Sequence, residues 1–363
     1  MTDTAPPTPE PPPAPRPARV VPPDGPAHTI PHGPRAQRAP VRAVTRRRVL
    51  GAAAAGLAAA ASLGASGAAA GPASQVTPVA GERRRRHRGN SGVTLRWLGN
   101  NAWELRFDDT TVLVDPWVTR FHTGTYSPSG ADPETPITSD PATIDRYVTA
   151  GDLVLITHGH YDHLPDVPYV ARRTGATVLG TETHLNLLRA LDAPDDQLSE
   201  VRGGEHIQFD GFDVRVIRAA HSLSGPRRRL TYAGTRPAVP PSRPRVIREL
   251  VEGGSLAYMV TIGETSVLDM GSANYVRSEL EGLRPDVVLL QPGGTTVVDY
   301  VDGLMDVLGR PPVVVPTHWD DFDHPLDEPA VDWGSLEALR TAVRRASPRT
   351  EFIVIDHLEE LAL

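Results

Sequence analysis

Leu153-Val154-Leu155-Ile156-Thr157-His158-Gly159-His160-Tyr161-Asp162-His163-Leu164-Pro165-Asp166 is an apolar run that empties into three histidines and an aspartate within six residues. Four consecutive aliphatic residues fit a strand buried on both faces. A strand that ends this way gathers nitrogen and oxygen donors into one turn, with Gly159 relieving the backbone. That density points to metal ligation by residues 158–163. The 363 residues include no cysteine, so disulfides and thiolate ligands are excluded and imidazole and carboxylate must hold any ion. A cysteine-free chain also suits an oxidising location.

Upstream of this run, residues 93–98, 102–107 and 111–114 alternate apolar and polar side chains between Gly-Asn-Asn and Asp-Asp-Thr turn signals. They read as an antiparallel meander. Downstream the pattern predicts helix 164–173, strand 176–179 and helix 183–191. Strands follow at 212–219, 256–261, 266–270, 287–291 and 312–315, with helices near 275–283, 298–308 and 333–345. Two sheets, each covered by helices, give a layered α/β sandwich. Residues 121–139 and 222–253 break the rhythm as long loops. The second carries Arg227-Arg228-Arg229 and a Pro-rich stretch at 237–244, and a flap over the site is the expected use. Its arginines either meet an anionic substrate or form a solvated basic face.

The chain's formal net charge of −7 conceals an asymmetry: residues 91–363 carry 24 basic against 40 acidic residues. An acidic domain repels a phosphate backbone, which argues against a nucleic-acid partner. Residues 1–44 form a Pro-rich prefix whose composition cannot bury enough apolar surface to order it. Thr45-Arg46-Arg47-Arg48-Val49-Leu50 opens a segment of Ala, Gly, Leu and Ser that ends in Ala68-Ala69-Ala70. Residues 45–70 therefore resemble a twin-arginine export signal, which implies the twin-arginine machinery as partner and an extracellular, periplasmic or cell-surface destination. An uncleaved leader would leave a membrane anchor. Residues 71–92 read as a basic linker, and the folded domain as 93–363. Translation from Val41 or Val44 is an open alternative start.

The run 158–163 resembles the His-x-His-x-Asp-His signature of the metallo-β-lactamase superfamily. Thr94-Leu95-Arg96-Trp97-Leu98-Gly99 followed by Val112-Leu113-Val114-Asp115-Pro116-Trp117 is similar to the branch containing ascorbate-6-phosphate lactonase and the phospholipase D that hydrolyses N-acyl phosphatidylethanolamines. The resemblance spans residues 93–363 and implies the four-layer αβ/βα metallo-β-lactamase sandwich. Carried over by position, it implies a first metal held by His158, His160 and His221 and a second held by Asp162, His163 and His318. Asp115 would orient a ligand imidazole from behind. His221 and His318 each follow a predicted strand, where open α/β sheets place ligands.

Two departures from the family pattern stand out. Gly99-Asn100-Asn101 replaces the usual Gly-His, and the Gly-Asp that supplies the bridging carboxylate has no clear counterpart. In Val267-Leu268-Asp269-Met270-Gly271-Ser272, either Asp269 bridges from a shifted strand or Gly271-Ser272 takes the place and the bridge is lost.

The implied reaction is attack of a metal-bound hydroxide on an ester, lactone, amide or phosphodiester of a small-molecule or lipid substrate. Asp162 would orient that hydroxide and take its proton. Zinc is the first expectation for the one or two divalent ions, and manganese suits the same donors. Two other classes stay open: an iron enzyme of redox or oxygen chemistry on the same fold, and a non-enzymatic metal-binding surface protein.

Overall fold

The computed structural model describes residues 92–127, 130–293, 297–333 and 335–363, together with the backbone of 85–86. The prefix 1–44, the export signal 45–70 and most of the linker 71–92 lie outside the described residues. Chain order gives β1 (Arg85–Arg86), β2 (Thr94–Trp97), β3 (Trp103–Phe107), β4 (Thr110–Val114), α1 (Pro141–Tyr147), β5 (Leu153–Leu155), α2 (Val167–Thr174), β6 (Thr177–Gly180), α3 (Glu182–Ala190) and β7 (Leu198–Glu200). Next come β8 (His206–Gln208), β9 (Phe212–Arg218), β10 (Leu256–Ile262), β11 (Thr265–Asp269), α4 (Arg277–Leu280) and β12 (Val287–Leu290). The chain closes with α5 (Tyr300–Val307), β13 (Val313–Pro316), α6 (Leu336–Ala346), β14 (Glu351–Phe352) and β15 (Glu360–Ala362).

One sheet runs in the order β1-β15-β2-β3-β4-β5-β6-β7 and the other β14-β13-β12-β11-β10-β9-β8. Each begins as an antiparallel meander and continues as parallel strands. Side chains alternate between the faces of a strand, and the alternation sorts the core. Val112, Val114, Leu153 and Leu155 join Val216, Tyr258, Leu289 and Val315 between the sheets. The intervening Leu113 and Val154 pack with Ile144, Val170 and Leu187 from α1, α2 and α3. On the other outer face Val288 and Val314 pack with Leu304, Met305 and Val343 from α5 and α6. Helices cover both outer faces, which gives the four-layer αβ/βα sandwich of the metallo-β-lactamase fold. Burial of each such Val or Leu contributes about 1.5–3 kcal/mol.

Several expectations need correction. Helix α2 starts at Val167 instead of 164, because Asp166 is occupied with the chain after β4. Its carboxylate accepts from Val118 N (2.8 Å), Thr119 N (2.7 Å) and Thr119 Oγ1 (2.7 Å). The helix expected over 275–283 is the single turn α4. Residues 85–86, read as linker, pair in parallel with β15. The two long loops bond to each other: Ile137 N donates to Arg245 O (2.9 Å) and Ile247 N to Thr135 O (3.0 Å). Backbone polar groups need partners, and these two segments supply them across more than a hundred residues. Among the described residues no helix is long and apolar enough to cross a membrane.

Candidate metal centre

Parallel register brings the C-terminal ends of β4 and β5 to one edge of the first sheet, and those of β9, β11 and β13 to one edge of the second. Asp115 follows β4, residues 157–163 follow β5, His221 follows β9, Asp269 ends β11 and His318 follows β13. Strand direction, more than local sequence, assembles these residues. Gly159 is required by crowding and not by a special backbone angle: a Cβ there would lie 2.3 Å from the Val251 carbonyl oxygen.

The donors converge in two groups. Ligand atoms of His158, His160 and His221 lie within 4.8 Å of one another, and so do those of His158, Asp162 and His163. The first group is the expected one. In the second, His158 closes on Asp162 and His163, while His318 approaches Asp162, with Nε2 3.2 Å from Oδ2. His158 Nε2 and His221 Nε2 stand 3.2 Å apart, and Asp162 Oδ2 is 3.4 Å from His163 Nε2. Ligands placed tetrahedrally at about 2.0–2.1 Å from one ion sit roughly 3.3 Å from each other. Burial, then neighbouring His163 and His221, hold His158 well below the usual imidazole range. Burial and His221 push His160 down to about 3, and burial lowers His221. All three are therefore in the neutral form that binds metal.

The second group is charged differently. Burial opposes charge on His163, yet Asp162 and Asp115 push it up to about 10. Burial likewise opposes ionisation of Asp162, but His163 and His318 hold it well below the usual carboxylate range. Asp269 goes the other way: burial and the neighbouring Asp115 raise it to about 7. Buried Nε2 of His160, Nε2 of His163 and Oδ2 of Asp269 have no hydrogen-bond partner. Orphaned buried polar atoms of this kind cost about 1–3 kcal/mol each, and divalent cations held by the two groups would offset that cost. The residues fit a metal centre.

Asp115 lies behind the ligands, as expected. It takes His163 Nδ1 at 2.7 Å, accepts from Thr157 N at 2.8 Å and bonds the Thr157 hydroxyl. Thr157 Oγ1 in turn meets His158 Nδ1 at 3.1 Å. The two asparagines that replace Gly-His matter more than the sequence reading allowed. Asn100 donates to the Asp162 carbonyl (2.5 Å) and its own carbonyl accepts from His318 N (2.8 Å), tying two ligands together. Asn101 Nδ2 reaches both Asp115 Oδ2 (2.9 Å) and Asp269 Oδ1 (3.3 Å). Asp269 is thus beside the centre without belonging to either converging group. Ser272, the other bridging alternative, accepts from Ser222 N at 2.9 Å and so steadies the residue after His221. The sequence reading missed Asn100, Asn101 and Thr157 as supports. Their proximity to the histidine motif was the available signal.

Fold and donor set define the class, a metal-dependent hydrolase of the metallo-β-lactamase fold. Residues 94–318 match the beta-lactamase superfamily domain, and the chain belongs to that family. A metal-dependent hydrolase of Methanopyrus kandleri is 28% identical over 235 residues, 63% of this chain and 85% of the relative. One from Thermoplasma volcanium is 29% identical over 236 residues, with 64% and 85% covered. Among solved structures, a metallo hydrolase from Ignicoccus hospitalis is 20% identical, covers 74% of this chain and 97% of that one, and has a TM-score of 0.49.

Proposed function

We propose that the centre binds two divalent ions, zinc first and manganese as the alternative, and hydrolyses an ester, lactone, amide or phosphodiester of a small-molecule or lipid substrate. The observation that supports it is the convergence of two donor groups, both including His158, at one edge of the sandwich. His158, His160 and His221 would hold the first ion, and Asp162, His163 and His318 the second. Asp269, with one buried oxygen lacking a partner, is the bridging candidate. A bound divalent ion supplies Lewis acidity, bringing the pKa of water toward about 7 and stabilising negative charge on the substrate oxygen. Asp162 orients the attacking water and accepts its proton, using the oxygen not directed at His163 and His318. Asp115 fixes the His163 ring through Nδ1, which would leave Nε2 to hold the ion.

Replacing both His158 and His160 with Ala removes two of three ligands of the first ion. Elemental analysis is expected to show its loss, and hydrolysis across a panel of lactones, phosphodiesters and phospholipids is expected to vanish. Unchanged metal content in that variant overturns the ligand assignment.

We place the enzyme outside the cytoplasm, exported by the twin-arginine route, on the strength of Arg46-Arg47 and the small-residue segment behind them. Changing Arg46 and Arg47 to Lys is then expected to leave the precursor in the cytoplasm. Normal export of that variant would instead indicate the general secretory route or a plain membrane anchor.

A further inference from the structure

Aromatic side chains stand on both sides of the metal centre. On the side of the first donor group, the Tyr232 ring lies 6.0 Å from His160 and 6.2 Å from Tyr161. On the side of the second, Phe322 lies 5.7 Å from His318. The Trp333 indole donates to the His318 carbonyl at 3.2 Å. Tyr126 stacks on Trp333 at 5.5 Å with an interplanar angle of 11° and meets Phe322 edge-on at 4.9 Å. Trp333 nevertheless stays 38% exposed. Tyr232 is held at its place by the long segment 222–253, whose Glu252 carbonyl accepts from Gly159 N at 2.9 Å and whose Tyr232 carbonyl accepts from Glu252 N at 3.0 Å.

Charges of both signs surround these rings: Arg227, Arg228 and Arg229 lie on the segment that carries Tyr232. Arg120 is neutralised by Asp320 at 2.7 Å. A wall of rings attracts apolar surface.

We propose that the substrate bears an aromatic or bulky apolar group, which seats between Tyr232 and the Trp333–Tyr126 stack. This rests on the hydrolase reading and narrows its substrate class. Trp333 and Tyr232 are specificity-determining residues that bind the group remote from the reacting centre.

The test compares methyl phenylacetate with methyl acetate on the metal-loaded enzyme, since the two share a leaving group and differ only in the ring. The ring is expected to raise kcat/KM, and Trp333→Ala and Tyr232→Ala are each expected to lower the ratio between the esters about tenfold, mainly through KM. Trp333→Phe and Tyr232→Phe should restore most of it. An ester preference untouched by both Ala variants overturns the proposal while leaving the hydrolase reading in place, and where only bis(4-nitrophenyl) phosphate is cleaved the same variants are compared on it against dimethyl phosphate with the same two outcomes. If metal-loaded enzyme cleaves none of these, the hydrolase reading fails. The aromatic site is then judged by fluorescence alone: phenylacetamide is expected to quench an indole signal that Trp333→Phe abolishes, and no quenching up to the solubility of the ligand overturns it.

Discussion

Asp269 has one carboxylate oxygen engaged and one not. Its Oδ1 accepts from Gly271 N at 2.6 Å and from Asn101 Nδ2 at 3.3 Å, while buried Oδ2 has no partner. Removing a carboxylate from water without a counter-charge costs several kcal/mol, which explains why burial and Asp115 raise its pKa to about 7. A nearby cation reverses that pressure. Asp269→Asn is therefore expected to weaken the second ion at least tenfold in a competition with a chelator, while the first remains held by three imidazoles. Ser272→Ala is expected to cost less, since Ser272 Oγ serves Ser222 N. Two ions retained at full affinity in Asp269→Asn, with the loss falling on Ser272→Ala, would reverse the assignment. The two readings of residues 267–272 left open by the sequence differ by a few residues of register, and these two variants distinguish them.

At the scale of elements, the turn leaving β11 must pass close to the strand and loop that carry the ligands. Gly271 has φ +65°, and a Cβ there would lie 2.5 Å from the Leu256 carbonyl oxygen and 2.7 Å from Thr157 Cβ. Gly271→Ala is expected to destabilise the protein by more than about 2 kcal/mol, combining left-handed strain with a backbone clash. Urea denaturation would measure it, and a midpoint equal to wild type would show that the approach is not tight. Displacement of Thr157 should also loosen Asp115 and, through it, His163. The apolar strands β5, β12 and β13 were legible because burial on both faces demands unbroken aliphatic runs. The edge strands β7, β8 and β14 are two or three residues long, too short for any period to register. Helix α1 hides behind polar residues, its N-cap Asp140 accepting from Ala142 N and Thr143 N at 3.2 Å.

Across the whole molecule, Asp320 gathers segments more than two hundred residues apart. It pairs with Arg120 (2.7 Å) and His357 (2.9 Å), and its Oδ1 accepts from Asn100 N (2.9 Å), the residue that ties Asp162 to His318. Burial opposes its ionisation, but Arg120 and His357 hold it at about 2. A carboxyl depressed on folding stabilises above its unfolded pKa near 3.8 and loses that contribution as pH falls through the folded value. The contribution is about 2 kcal/mol at neutral pH. Asp320→Asn leaves buried Arg120 without its counter-charge, so its deficit against wild type should be about 3–5 kcal/mol at pH near 7. That deficit should shrink between pH of about 4 and about 2, as read by urea denaturation at each pH. A deficit independent of pH would remove Asp320 from the acid response.

The sequence by itself determined that a His/Asp cluster suited to metal follows one buried strand: the strand 153–156, the crowded donors of 158–163 and the absence of cysteine leave little else for those side chains to do. It also placed His221 and His318 after strands, because apolar runs and their ends are local properties. Only the tertiary structure decided that His158 faces both donor groups, that Asn100 and Asn101 brace the ligands, and that Tyr232 and Trp333 flank them. These relations arise when separate strands end at one edge of the sandwich, and distances of that kind leave no period or spacing in the chain.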